Sequence, residues 1–503
     1  MNIKNLVVLD YIKLKYLVKI ILSISLLYFF FLYLTSKINL QNLILFLILF
    51  SIHCSLFYIY LYSKKELNYF PIYPLIIVYY FVTYTAYFYQ NYELQPIFSL
   101  NLPEPDFSKK YIYPDIKRLI FILTLGLTSF SIGYFLLNYF VIKKNIKNLK
   151  LDWNKKIEYL LIIGFFLYII FFYINLEKNL FNSSLILQLK IPVMIFLLSY
   201  FQIKYLISKN IIFNIILILL LSFLFVIEIS RGFTLFPYLM IAIVIGINFF
   251  INKQINLLTI LIIMISVIVV NEFKYEIRKN TWVYEDAWVN EANNEVIDKN
   301  RNQFLTNLNQ TKEVYLKPNF DNVFNKENLS GQKHRLFHSN LSLQIILSMT
   351  PDEVNYYEGK SYMGIIYKFL PRSLFQNKPS EEWGNFWGRR YYILNPEDRH
   401  TSWNFPILNE FYANFSTKGV VIGMFFLGFI IKLALIFLRI DYRSPVLLSM
   451  ASTIMLNFFF LESNLSLIVG LVINQLLFFS LIIFFMCFLS FLLKQISNLK
   501  VKI

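Results

Sequence analysis

Apolar runs long enough to cross a bilayer recur along the chain, and they constrain the fold more than any motif does. A helix needs about 20 consecutive apolar residues to cover the hydrocarbon core of a membrane. Runs of that kind lie near residues 16–34, 40–62, 71–89, 118–142, 157–175, 185–207, 210–229, 232–251, 255–271, 418–438, 444–462 and 466–493. The expected fold class is an all-α polytopic membrane protein with about twelve transmembrane helices. Composition agrees, because only 15% of the 503 residues are charged and 57% are hydrophobic. Soluble domains carry about 25% charged residues, so too few are present here to cover a soluble surface. The first run follows Lys4, Lys13 and Lys15 with no small-residue cleavage site after it, and reads as a retained anchor. Cys54 and Cys487 both fall inside expected spans, which argues against a disulfide framework.

Lysine and arginine in short connections set the orientation. Numbering the connections alternately, one side receives the N-terminal lysines, then Lys64 and Lys65, then Lys143, Lys144, Lys147, Lys150, Lys155 and Lys156. The same side takes Lys209, Lys253, Arg439, Arg443 and the C-terminal Lys494, Lys500 and Lys502. The shortest opposite loops hold little beyond Lys37, Lys178 and Arg231; the connection at 90–117, with Lys109, Lys110, Lys117 and Arg118 at its edge, runs against the trend. The bias predicts an even span number and cytoplasmic termini. The organisation is then a first membrane block (1–271), a large outer, periplasmic loop (272–417) and a C-terminal membrane block (418–503). The loop contains 17 Lys+Arg and 18 Asp+Glu, a balance of −1, so with a whole-chain charge of +17 the residues outside it sum to +18. The basic surplus is topological, and no nucleic-acid partner is expected.

The 146-residue loop holds Trp282, Trp288, Trp383, Trp387 and Trp403. Its first half, to about residue 333, is polar and Asn-rich and reads as a loose insert. The second half has structural signals. "RLFHSNLSLQIILSM" (335–349) predicts an amphipathic helix, and "TPDE" (350–353) predicts a new helix start, with Thr350 as N-cap and Pro351 at its first position. The stretch "FLPRSLFQNKPSEEWGNFWGRR" (369–390) concentrates arginine, tryptophan, glutamate and proline. Such a mixture suits an interfacial anchor. It also suits a site for an anionic, sugar-bearing lipid, since arginine forks bind diphosphate and flat rings stack on sugar faces.

An ordered series of short motifs in this loop, Arg335, "YYEGKSY" (356–362), "FLPRSLFQNKP" (369–379) and "NEFYANFSTKGVVIG" (409–423), resembles the oligosaccharide repeat-unit polymerases, the Wzy-type or O-antigen polymerase family. The likeness covers roughly 335–425; elsewhere it rests on span layout and on "SRGFTLF" at Arg231. The resemblance implies a GT-C-like glycosyltransferase of the bacterial inner membrane that joins undecaprenyl-diphosphate-linked oligosaccharide units at the outer face. It implies membrane lipid and a chain-length regulator protein as partners. It also implies sugar contacts from Tyr357, Tyr362 and Tyr412 of that series; Trp383, Trp387 and Trp403, in a run of this chain's own, are expected to add flat rings that stack on sugar.

The residues fit that chemistry. A diphosphate leaving group needs its developing charge stabilised by a metal or by fixed cations. The first outer connection, "TSKIN" (35–39), has no acid and the loop has no DxD motif. Cations are therefore favoured, Arg372 first, then Arg231, Arg335 and Lys378, with neither metal nor cofactor expected. Arg231 has a competing reading as an ion pair with Glu228. The acceptor hydroxyl needs a general base, and Glu410 and His400 both qualify; Glu410 has a competing reading as a helix-start charge. His334 and His338 share a helix face but have no third ligand in sight. Two other functions stay open: a ligase moving finished glycan from the same lipid, and a flippase, which would call for repeats or ionisable groups deep in the spans.

Overall fold

The computed structural model describes residues 8–35, 40–63, 66, 69–85, 98–101, 109–112, 115–140, 155–178, 184–230, 245–256, 338–368, 382–394, 402–437, 444–458 and 463–500. Helices form where the apolar runs lie. The first block contains α1 (Tyr11–Leu34), α2 (Leu40–Tyr62), α3 (Ile72–Tyr80, continuing as a π turn over Phe81–Thr85), α4 (Ile116–Phe140), α5 (Lys155–Lys178), α6 (Ser184–Ser208) and α7 (Ile211–Ser230). The loop contributes α8 (His338–Met349), a 3-10 turn at Lys360–Tyr362, α9 (Met363–Lys368) and α10 (Trp383–Arg390). The last block is α11 (Ile407–Phe437), α12 (Pro445–Asn457) and α13 (Leu465–Lys500). Among the described residues, five helices are long and apolar enough to cross a membrane: Ile12–Leu34, Leu40–Tyr62, Ile116–Asn138, Ile407–Phe437 and Leu465–Gln495. This is the pattern of a helical membrane protein. The expected run at 232–251 is described only over 245–251, where it is helical, and most of the run at 255–271 lies outside the described residues.

Two short antiparallel ladders accompany the helices. β1 (Val8–Asp10) pairs with β4 (Gln254–Asn256), with Leu9 opposite Ile255; β2 (Phe98–Asn101) pairs with β3 (Lys109–Ile112). The first ladder holds the N-terminal segment beside residues 254–256, so both lie at one end of the bundle.

Long helices such as α2 bury one stripe and leave the other exposed. In α2 the buried residues are Leu43, Phe46, Leu49, Phe50, His53, Leu56 and Tyr60, at helical spacing, while Ile44, Ile48 and Ile59 are exposed. The closest packing is between α4 and α11. A Cβ on Gly133 would collide with the Phe425 carbonyl oxygen, and one on Gly428 with that of Phe130. Small residues bring membrane helices into backbone contact, and both helices supply one here.

Charge is buried at the end of the bundle that carries the β1–β4 ladder's lysine-rich neighbours. Lys432 of α11 lies 2.7 Å from each carboxylate oxygen of Glu66, in the turn after α2, and both side chains are inaccessible. The Tyr134 hydroxyl donates to Glu66 at 3.0 Å and the Asn138 amide at 2.7 Å. The Lys432 ammonium also lies 3.9 Å from the centre of the Tyr69 ring. Glu158 of α5 and Lys204 of α6 form a second pair at 2.8 Å.

The loop departs from expectation in two places. The helix expected at 335–349 is amphipathic in sequence, yet α8 is buried on nearly every face. Its polar side chains have partners: Asn340 donates to the Tyr84 carbonyl at 2.7 Å, and the Ser342 hydroxyl accepts the Trp403 indole N–H at 2.9 Å. The expected helix start at 350–353 is instead the end of α8. The Glu353 and Val354 N–H groups both return to the Met349 carbonyl at 2.9 Å, and the Thr350 hydroxyl bonds Tyr391 at 2.8 Å rather than capping a new helix.

Candidate functional site

The loop meets the membrane block where α11 breaks. Phe415 (φ −138°, ψ 21°) and Ser416 (φ 59°, ψ −154°) are non-helical inside it, which separates a short buried segment, 407–414, from the long helix beyond. A break leaves carbonyls without intrahelical partners. "YYEGKSY" supplies them. Tyr357 N–H donates to the Ala413 carbonyl at 3.0 Å and Glu358 N–H to that of Asn414 at 3.2 Å. The Asn414 side chain accepts from Gly359 N–H at 2.8 Å and donates to the Ser361 hydroxyl at 3.0 Å and the Glu410 carbonyl at 2.8 Å. The segment turns tightly to do this, with Glu358 at φ 53° and Gly359 at φ 79°. A Cβ on Gly359 would also sit 2.7 Å from the Phe415 ring, so glycine is required twice over.

Glu410 stands on the buried side of this joint, completely inaccessible. Its Oε2 accepts the Leu465 N–H at 2.7 Å, at the first turn of α13, where a negative charge is favoured. Its Oε1 has no hydrogen bond among the described residues. The Ser361 hydroxyl also lies within hydrogen-bonding reach of the carboxylate. Tyr362 is the neighbour on the other side; its ring packs between Phe411 at 6.2 Å and Phe415 at 6.3 Å. Its buried hydroxyl lacks a hydrogen bond among the described residues. Burial, reinforced by the Glu410 carboxylate, pushes that phenol upward, which keeps it a neutral donor. Glu410 Oε1 and the Tyr362 hydroxyl thus lie close together, with Ser361 and Asn414 as polar neighbours, where a bound hydroxyl would find both an acceptor and a donor.

The aromatic residues form a platform behind the joint. Trp387 is fully buried, stacked on Phe405 at 5.2 Å, and packs as core rather than as an open face for a sugar. Tyr412 is also fully buried, its hydroxyl held by Arg118. Trp383, Trp403, Tyr357 and Tyr362 are half-buried. Tyr357 packs against Phe386 at 5.0 Å, with the Arg390 guanidinium 4.9 Å from its ring centre. His338, the first residue of α8, lies 4.5 Å from Trp403 ring to ring, and no cluster of three potential metal ligands occurs among the described residues.

Arg231, Arg335, Arg372, Lys378 and His400 lie outside the described residues; of the expected residues that are described, Tyr362 lies near Glu410, and Tyr357 packs against Trp383. Sequence reading missed the residues that build the joint. Asn414, four residues after Glu410, carried a signal in its helical spacing. Arg118 stood out only as a charge at the start of an apolar run; it donates to the Leu347 carbonyl at 2.8 Å and fastens the end of α8 to α4.

No family model matches the sequence, and no curated protein or solved structure matches it.

Proposed function

We propose that this chain is a repeat-unit polymerase: a GT-C-like, metal-independent glycosyltransferase of about twelve spans, with both termini cytoplasmic and the large loop in the periplasm. Its substrate class is an oligosaccharide carried on undecaprenyl diphosphate in the bacterial inner membrane. The acceptor hydroxyl oxygen forms a bond to the anomeric carbon of the growing chain. The bond from that carbon to the diphosphate oxygen breaks, undecaprenyl diphosphate leaves, and the hydroxyl proton passes to a base.

The observation that carries this reading is the open Oε1 of Glu410, buried where the motif-bearing loop closes on the membrane block. Proteins rarely leave a buried carboxylate oxygen unbonded, and a proton acceptor for a substrate hydroxyl has to be left open. The reading places Glu410 as base, with His400 as its rival. Arg372, Arg231, Arg335 and Lys378 would hold the diphosphate, and the loop aromatics would hold sugar.

The test is deletion of the gene in its host, with the surface glycan run on a gel and the lipid-linked pool extracted. A single surface repeat unit with the ladder gone is the expected result. A full ladder trapped on the polyprenyl carrier would make the protein a ligase, and precursor held on the cytoplasmic side would make it a flippase; either overturns the reading.

A further inference from the structure

The stretch 369–390 reads as an interfacial anchor in sequence, but α10, which ends it, packs Trp387 into the core. An apolar face left uncovered lies one element earlier, on α9. Met363, Ile366 and Tyr367 share one side of α9 by their spacing and are 63%, 69% and 41% exposed. The other side is closed: Gly364 is buried, and α9 packs along the start of α13. A Cβ on Gly470 of α13 would fall 2.8 Å from Lys368 Cδ and 3.0 Å from Cε, so α9 lies beside that helix rather than beyond its end. Leu467, one turn before Gly470, is 40% exposed and continues the apolar face onto α13.

α13 decides what covers this face. Its candidate span, Leu465–Gln495, is 31 residues of mean hydropathy 2.9, and Leu477, Leu481 and Phe484 are exposed along it. A helical surface of that length and composition is suited to lipid. At 1.5 Å per residue the span is about 46 Å long, enough for the hydrocarbon core and a headgroup layer on each side, about 40–45 Å together. Gly470 is five residues beyond the start of α13, about 7.5 Å along it. Interfacial helices bury an apolar face to about that depth, 5–10 Å, between headgroups and acyl chains. The exposed face of α9 is thus continuous with a lipid-facing surface and stands at the level where that surface begins.

We propose that α9 is an interfacial anchor: Met363, Ile366 and Tyr367 insert among the acyl chains of the leaflet at that end of α13, and the bilayer thereby holds the preceding turn, Lys360–Tyr362, on the joint. That turn carries Ser361, whose hydroxyl accepts from Asn414 at 3.0 Å and lies within hydrogen-bonding reach of Glu410. Tyr362 ends it, packed between Phe411 and Phe415. Met363 starts α9 directly after Tyr362, so no slack separates the anchor from the joint. The lipid surface is then part of the scaffold around Glu410. The proposal does not rest on the polymerase reading.

The test uses the full chain, with Cys54→Ser and Cys487→Ser, in phosphatidylcholine nanodiscs. A nitroxide is attached at Ile366→Cys, with controls at Ile422→Cys on the exposed apolar side of α11 and at Asp352→Cys, exposed just after α8. Power saturation is read with oxygen, which partitions into acyl chains, and with a water-soluble nickel chelate. The label at 366 is expected to behave as at 422, relaxed more by oxygen than by nickel, and the label at 352 the reverse. A label at 366 that behaves as at 352 overturns the proposal. So does one reached by neither reagent, which would mean that protein covers the face. Hydrogen–deuterium exchange reads the hold on the joint. Met363→Ser with Ile366→Ser is expected to speed exchange of the Tyr357, Glu358 and Gly359 amides about tenfold, since burying one such side chain is worth about that factor in an equilibrium. The amides around Gly133 and Gly428 keep their protection and show that the variant is folded. Unchanged exchange at 357–359 in the folded variant overturns the hold on the joint. Neither readout involves a substrate, so the anchor and the polymerase reading fail separately.

Discussion

α11 carries a buried charge near each end, and the two are treated differently. At one end Lys432 is sealed against Glu66, whose oxygens also receive Tyr134 and Asn138. At the other end Glu410 receives one backbone N–H and keeps an oxygen open. The two residues are 22 positions apart in sequence, on either side of the break at Phe415 and Ser416. Both carboxylates are inaccessible, so burial does not separate them. Completeness does. A fully bonded pair fixes the helices it joins, while a half-bonded carboxylate spends stability on an oxygen that something else must use.

The most direct way to break the comparison is to open the sealed end. Lys432→Met leaves Glu66 buried without its cation, and removing one partner of a buried pair costs about 3–5 kcal/mol. Thermal unfolding of the detergent-purified variant is expected to show a large drop in midpoint. Glu66→Gln on top of Lys432→Met should recover part of it, because a neutral amide is cheaper to bury than an unpaired carboxylate. A Lys432→Met protein as stable as wild type would mean that the pair is solvated and that the two ends are alike.

The next largest effect tests the joint. Gly359→Val adds bulk where φ is 79° and where even a Cβ would sit 2.7 Å from Phe415. Strain and overpacking of that kind cost about 1–3 kcal/mol. Limited proteolysis is expected to cut the loop near 359 while α4 and α11 stay protected. Uniform loss of protection would instead mean that loop and membrane block unfold as one unit.

How much of this was legible beforehand follows from the kind of information each feature uses. The helices α1, α2, α4 and α13 were readable because span length and hydropathy are local properties. Glu410 was singled out by its place in a motif, and "YYEGKSY" likewise. Their relation was not readable, because the bonds from Tyr357 and Glu358 to Ala413 and Asn414 join segments more than 50 residues apart. "TPDE" was misread as a helix start since its capping signals are local, whereas Tyr391 and the α8 terminus decide its conformation. The buried Glu66–Lys432 pair was missed for the same reason: in sequence, Glu66 is one more charge in a lysine-rich turn.

Glu410→Gln should separate stability from activity. Glutamine keeps an acceptor for the Leu465 N–H and removes a buried charge, so the unfolding midpoint is expected to move by the equivalent of about 1 kcal/mol or less. Loss of a general base costs about a hundredfold or more in rate, so the glycan ladder should vanish from cells carrying this variant at normal expression. A normal ladder would remove Glu410 from the chemistry and leave the open oxygen a structural accident; a large loss of stability would make it a second sealed charge.

The smallest expected effect is the sharpest. Tyr362 and Tyr391 both present buried hydroxyls, and burial pushes the Tyr391 phenol up to about 12, so each is a neutral donor at working pH. Tyr391 has Thr350 at 2.8 Å, whereas Tyr362 has no hydrogen bond among the described residues. Tyr391→Phe strands the Thr350 hydroxyl and should cost about 1 kcal/mol. Tyr362→Phe removes a group that is buried and unpaired, so it should cost nothing or stabilise by up to about 1 kcal/mol. Side-by-side unfolding of the two variants reads the difference. If Tyr362→Phe loses as much as Tyr391→Phe, its hydroxyl is already bonded in the resting protein, and the Glu410 end of α11 is as closed as the Lys432 end. If it loses nothing while the ladder shortens, the missing partner of that hydroxyl is the substrate.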